Sequence, residues 1–190
     1  MSRRRTALRH LPNAISAARL MAAPVLIGLA AAHRQTAFAW LLVAALVSDV
    51  FDGLLARALH VRSALGATLD SAGDVTTLVS AACGIAVFHP EVYADHALSC
   101  WLVLGGWALV CIAALVRYGR LSSFHTYASK AAGYALGFFI AALFLIGFIA
   151  PLFHLAVVLS VASSAEELLL LRRLPDWRAD VRGLWWVMRE

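Results

Sequence analysis

Four aspartates, Asp49, Asp52, Asp70 and Asp74, fall within residues 49–74 of a chain that is otherwise strongly apolar. Carboxylates in bilayer-like sequence are costly, so a group of four calls for cations to compensate them. At about 100° per residue, Asp49, Asp52, Gly53, Ala56 and Arg57 share one arc of a helix. Gly66, Asp70 and Asp74, spaced four apart, form a line on the next helix. A short connection between antiparallel helices turns the two lines toward each other. Four converging carboxylates repel strongly in a low dielectric, whereas two divalent cations neutralise them and leave a positive field for a diphosphate. All-oxygen ligation shared with phosphate suits Mg²⁺ or Mn²⁺ better than Ca²⁺. Gly53 and Ala56 carry little bulk and allow a nucleotide near the backbone; Arg57 offers a planar, permanently charged fork for phosphate. The competing reading is a set of ion pairs or a proton path, for which the nearby Arg57 and Arg62 are too few.

The elements that must position these groups are membrane helices. Of 190 residues, 62% are hydrophobic and 14% charged, with a mean hydropathy of +0.80, which marks a polytopic membrane protein. Apolar stretches at roughly 14–32, 36–58, 67–88, 98–117, 131–150 and 152–171 are each long enough to cross about 30 Å of hydrocarbon. The expected fold is therefore an all-α integral membrane protein of six transmembrane helices with a cytoplasm-facing polar site, in one domain spanning 1–190. The tail 175–190 has Trp177, Val181, Trp185 and Met188 at helical spacing among Arg178, Arg182 and Arg189. It predicts an interfacial amphipathic helix.

Orientation follows from the basic residues, 15 Arg and the single Lys130. With the N-terminus inside, only Arg34 falls in an outer loop, which sets both termini and all four aspartates on the cytoplasmic side. The Arg- and Ala-rich composition suggests a GC-rich bacterial genome, hence a bacterial inner membrane. No basic stripe interleaved with exposed aromatics points to nucleic acid. Cys83, Cys100 and Cys111 lie in apolar stretches without paired spacing and read as small core residues. Gly105, Gly106, Gly133 and Gly137 read as sites of close helix packing.

The pattern D-x2-D-G-x2-A-R-x8-G-x3-D-x3-D, complete from Asp49 to Asp74, resembles the signature of the CDP-alcohol phosphotransferase (phosphatidyltransferase) family. Six helices and a cytoplasmic site are similar to that family's fold. The resemblance implies that Asp49, Asp52, Asp70 and Asp74 hold two metal ions and that Asp74 also acts as general base. It implies CDP contacts from Gly53, Ala56, Arg57, Ser63 and Gly66. Upstream, Pro12-Asn13-Ala-Ile-Ser16-Ala-Ala-Arg19 resembles the nucleotide-contacting opening of helix 1 in phosphatidylglycerophosphate synthase-like members, with Asn13 and Ser16 as contacts. Asn13 alone would equally serve as a helix N-cap. The implied reaction moves a phosphatidyl group from a CDP-linked lipid, CDP-diacylglycerol first among them, to an alcohol with release of CMP, in phospholipid biosynthesis. Homodimers are common in the family.

Outside the motif the sequence is quieter. The connector from Arg117 to Lys130 carries Arg117, Arg120 and Lys130, which would suit a phosphorylated acceptor such as glycerol 3-phosphate. Positive-inside anchoring explains the two arginines equally well. The connector departs from the Gly-Lys-x-x-Thr run of glycerophosphate-accepting members, which keeps inositol phosphate, serine and phosphatidylglycerol open as acceptors. His60, His89, His96, His125 and His154 read as interfacial polar residues. Glu166 and Glu167 sit near the inner end of the last helix, one of them positioned to pair with a nearby Arg. An intramembrane prenyltransferase would separate its acidic runs on distant helices, and a small cation-coupled transporter would show mid-bilayer acids and a repeated half.

Overall fold

Helices α1 (Ser2–Ala31), α2 (Gln35–Ala58), α3 (Ala64–Phe88), α4 (Pro90–Asp95), α5 (Ala97–Tyr118), α6 (Tyr127–Leu145), α7 (Ala150–Arg173) and α8 (Leu184–Val187) follow one another along the chain. The computed structural model describes residues 2–58, 64–120, 124, 126–178 and 181–189, with 2–13, 50, 52–58 and 64–71 described by their backbone alone. Among the described residues there is no strand. The chain divides into two compact units, residues 1–92 and 93–190.

In the first unit α1 is the central helix, packing extensively against both α2 and α3, while α2 and α3 touch each other less. Its buried positions are Ser16, Arg19, Ala23, Leu26 and Ala30, a spacing of three and four that keeps one stripe facing inward. Phe38, Leu42 and Ala45 supply the matching stripe of α2, and Thr77, Ala81 and Ile85 that of α3. Phe38, fully buried, meets the ring of Phe88 at 5.4 Å. The sequence reading had α2 and α3 facing each other directly; the structure adds α1 as their shared partner. Cys83, expected inside, is exposed.

In the second unit α7 packs against both α5 and α6. Gly106 of α5 approaches Ser164 of α7, whose Oγ would lie 3.2 Å from an added Cβ. Gly105 and Gly133 face open space, so the expected close packing holds for one of these three. One end of the unit is aromatic: His96 stacks on Phe148 at 5.1 Å and Phe153 meets Phe139 at 5.1 Å. The other end is a cluster of Val110, Ala114, Phe124, Leu170, Leu171, Leu174 and Val181.

Several boundaries differ from the sequence reading for local reasons. The helix expected over 131–150 runs from Tyr127, because Thr126 caps it: its Oγ1 accepts the Ser129 N–H at 3.0 Å,. It stops at Leu145, where Gly147 takes a φ of 108° that other residues rarely adopt,. Pro151 then opens α7,. The tail is not a continuous helix: its described helix is Leu184–Val187, and Val181 turns inward to the apolar cluster.

Among the described residues four helical segments are long and apolar enough to cross a membrane: Ala14–Ala31, Ala97–Tyr118, Tyr127–Leu145 and Ala150–Arg173. The sequence reading had six. Two shorter apolar segments, Gln35–Asp49 in α2 and Ala72–Phe88 in α3, lie among the same described residues.

Candidate active site

The inward stripe of α1 includes a charge. Arg19 occupies a core position, its side chain only 1% exposed, one turn beyond the buried Ser16. Its Nη1 donates to Oδ1 of Asp49 on α2 and lies 3.5 Å from Oδ1 of Asp74 on α3. Both carboxylates extend their own helices' inward stripes, and both are about half exposed, 45% and 47%. A guanidinium from one helix thus holds acids from two others, with its own charge inside and theirs toward solvent. The arrangement needs Gly73: a Cβ there would lie 2.8 Å from Arg19 Nε. The residue beside Asp74 is bare because the guanidinium fills that space.

Asp49 and Asp74 are therefore brought together, as the spacing argument expects. Asp52, Gly53, Ala56 and Arg57 continue α2, and Gly66 and Asp70 belong to α3, as backbone positions. Ser63 lies outside the described residues. Asn13 sits well inside α1, which begins at Ser2, so it is not the helix N-cap. Arg19 is the residue whose role the sequence reading missed. Arg57 and Arg62 are the bases nearest the aspartates in sequence, yet the buried base comes from a helix thirty residues upstream of Asp49. The signal was present in the register: Arg19 falls at a core position of the 16-19-23-26-30 stripe.

A family model for CDP-alcohol phosphatidyltransferase matches residues 9–165. The chain belongs to the CDP-alcohol phosphatidyltransferase family. No curated protein and no solved structure matches it. The chain is accordingly a phosphotransferase enzyme of phospholipid biosynthesis that transfers a phosphatidyl group from a CDP-alcohol, and its four apolar helices mark it as a membrane protein. The match spans parts of both units and ends at Ala165, before Glu166 and the tail.

CDP-alcohol phosphatidyltransferases are generally dependent on divalent metal. The described donors fit such an ion in kind: two carboxylates on different helices converge on one cation and keep about half their surface open. Hard oxygen donors suit Mg²⁺ or Mn²⁺. Among the described residues no group of three or more His, Cys, Asp or Glu is gathered closely enough to hold an ion, and the side chains of Asp52 and Asp70 are not among those described.

The basic residues expected at the acceptor lie in the second unit, and each has a neighbour. Arg117 Nη2 donates to the Leu174 carbonyl at 3.1 Å, and the Tyr118 hydroxyl donates to the same oxygen at 2.7 Å. They complete the C-terminal turn of α7, a structural task for Arg117. Arg120 lies 5.6 Å from the Trp177 ring centroid and Lys130 5.9 Å from that of Tyr127,. Lys130 is exposed. Glu166 accepts the backbone N–H of Leu184 at 3.0 Å. Tyr127 N–H meets the Arg182 carbonyl at 3.2 Å. The tail is thereby fastened to the start of α6 and the end of α7.

Proposed function

We infer that this enzyme transfers the phosphatidyl group of CDP-diacylglycerol to an alcohol, with glycerol 3-phosphate the leading acceptor, and releases CMP. The observation that carries this reading is the convergence of Asp49 and Asp74 on one buried guanidinium. That convergence puts both ends of the eight-position motif in one place. In this reading Asp49, Asp52, Asp70 and Asp74 hold two divalent ions, Mg²⁺ or Mn²⁺. When bound, the ions supply neutralising charge and polarise the diphosphate. Gly53 and Ala56 leave room for the nucleotide, Asn13, Ser16, Ser63 and Gly66 border it, and Arg57 pairs with phosphate as CMP departs. The Asp74 carboxylate takes the proton of the acceptor hydroxyl as its oxygen attacks the lipid-bearing phosphorus. The Asp74 carboxylate is about half exposed, so an acceptor hydroxyl can reach it.

Six crossings follow in this reading. The 24-residue α2 and 25-residue α3 are about 36 Å long at 1.5 Å per residue, enough to span a bilayer with their acidic ends at the surface. The Arg distribution sets both termini in the cytoplasm of a bacterial inner membrane. Trp185 and Trp186 at the fastened tail then lie at the interface.

The test is CMP release from CDP-diacylglycerol by purified enzyme with Mg²⁺ or Mn²⁺. The acceptors offered are glycerol 3-phosphate, inositol phosphate, serine and phosphatidylglycerol. Turnover with glycerol 3-phosphate above the rest supports the full reading. Turnover only with another acceptor corrects the acceptor, and CMP release with none of them defeats the assignment.

A further inference from the structure

The acidic motif is read above as a site for divalent cations, and the inference that follows rests on that reading. Three observations concern a residue outside the motif. Arg19 is a permanently charged group at a buried position, 1% exposed. Its guanidinium touches Asp49 and Asp74, which belong to different helices. The chain also leaves out a side chain at Gly73, in the space its Nε occupies. Burying a guanidinium is expensive unless opposite charge surrounds it, and removing one member of such a pair leaves the other uncompensated. An arginine serving only to anchor the helix could reach for water at the membrane surface, as long basic side chains do. This one points inward.

We propose that Arg19 is a built-in counter-ion of the aspartate site, a positioning residue that carries a fixed part of the charge balance. Four aspartates bring four negative charges and Arg19 returns one. Two divalent ions then take the aspartates, the ions and Arg19 together to one positive charge, to which Arg57 adds a second that faces the incoming diphosphate. Without Arg19 the same two ions would only neutralise the aspartates. Arg19 also holds α2 and α3 at the spacing the ions require, so the acids stay together when ions are scarce. Arg19 and divalent ions thus stabilise the same carboxylates, and the loss of one raises dependence on the other.

The experiment is apparent melting of the full-length protein in detergent, with EDTA or with saturating Mn²⁺, alongside Mn²⁺ binding followed by electron paramagnetic resonance. Arg19→Gln is expected to lower the melting temperature by about 10 °C in EDTA and by less than half of that in Mn²⁺. Gly73→Ala, which forces the guanidinium aside but leaves its charge, should show the same pattern at smaller size, and it keeps the test alive if Arg19→Gln does not fold. Arg19→Lys should restore part of the loss in EDTA. Equal losses with and without Mn²⁺ in both variants would mean an ordinary buried arginine and overturn the proposal, as would no loss at all. Failure of the wild type to bind Mn²⁺ would overturn the metal reading, and the counter-ion role with it. The two failures differ because binding is read separately from melting.

Discussion

In the first unit the inward stripe of α1 carries Ser16 and Arg19 at the same rank as Ala23, Leu26 and Ala30, so charge occupies core positions. In the second unit the corresponding interior is Val110, Ala114, Phe124, Leu170, Leu171, Leu174 and Val181, and its polar contacts are mostly bonds to backbone, such as those at the Leu174 carbonyl. Both units are built from helices of similar length. On the proposed reading the difference teaches where each draws its stability: the first from a balance of charge that divalent ions can alter, the second from packing and capping that they cannot. On that reading catalytic chemistry belongs with the former, since a site that must accept cations and a diphosphate needs unspent electrostatic capacity.

The sharpest way to test the contrast is through activity. Asp74→Asn should reduce CMP release by about 10²–10⁴-fold, the usual loss when a general base is removed, while the variant still inserts and binds CDP. Near-normal turnover would remove Asp74 from the base role. Next in size is Phe124→Ala in the second unit. Phe124 is 1% exposed, and deleting such a ring costs about 3 kcal/mol or more. It should lower apparent melting equally in EDTA and in Mn²⁺ and speed proteolysis of the tail. A loss rescued by Mn²⁺ would break the division between the units.

How much of this was legible in the sequence also divides along the same line. The helices that carry the aspartates, the meeting of Asp49 with Asp74 and the family could be read because the signal is local: fixed gaps on two consecutive helices. Arg19 was visible as a residue but not as a partner, because its role depends on α1 lying against both α2 and α3, a long-range fact. Gly73 had meaning only once Arg19 was in place. The tail failed for a different reason. Trp177, Val181, Trp185 and Met188 have helical spacing, yet Val181 gains more by joining Leu170 and Leu174 than by completing a surface helix, and Gly183 bends the chain at a φ of 152°.

A smaller effect sharpens the description of the tail. Glu166 is outside the family match and takes the Leu184 N–H. Glu166→Ala should cost about 1–2 kcal/mol, the value of a partly buried bond to backbone, whereas Glu166→Gln keeps an accepting oxygen and should lose less. Melting in detergent checks both, again without a Mn²⁺ dependence. Equal losses for the two would show that the bond is not what holds the tail.

The smallest effect lies in the connector between α3 and α5. Glu91 opens α4, and its carboxyl is held below its ordinary value. The largest cause is a hydrogen bond from its own backbone N–H; a small desolvation opposes it, and the His89 ring, 3.1 Å away, adds to the lowering. A carboxyl lowered in the folded state stabilises it above the ordinary carboxylate value, and that contribution fades as pH falls through the lowered one. The difference in melting temperature between wild type and Glu91→Gln should therefore be constant from neutral pH down to the ordinary carboxylate range and close below it. Since the backbone bond is the leading cause, His89→Ala should leave most of that pH dependence in place. If His89→Ala abolished it, the His89 contact rather than the helix start would be setting the Glu91 charge.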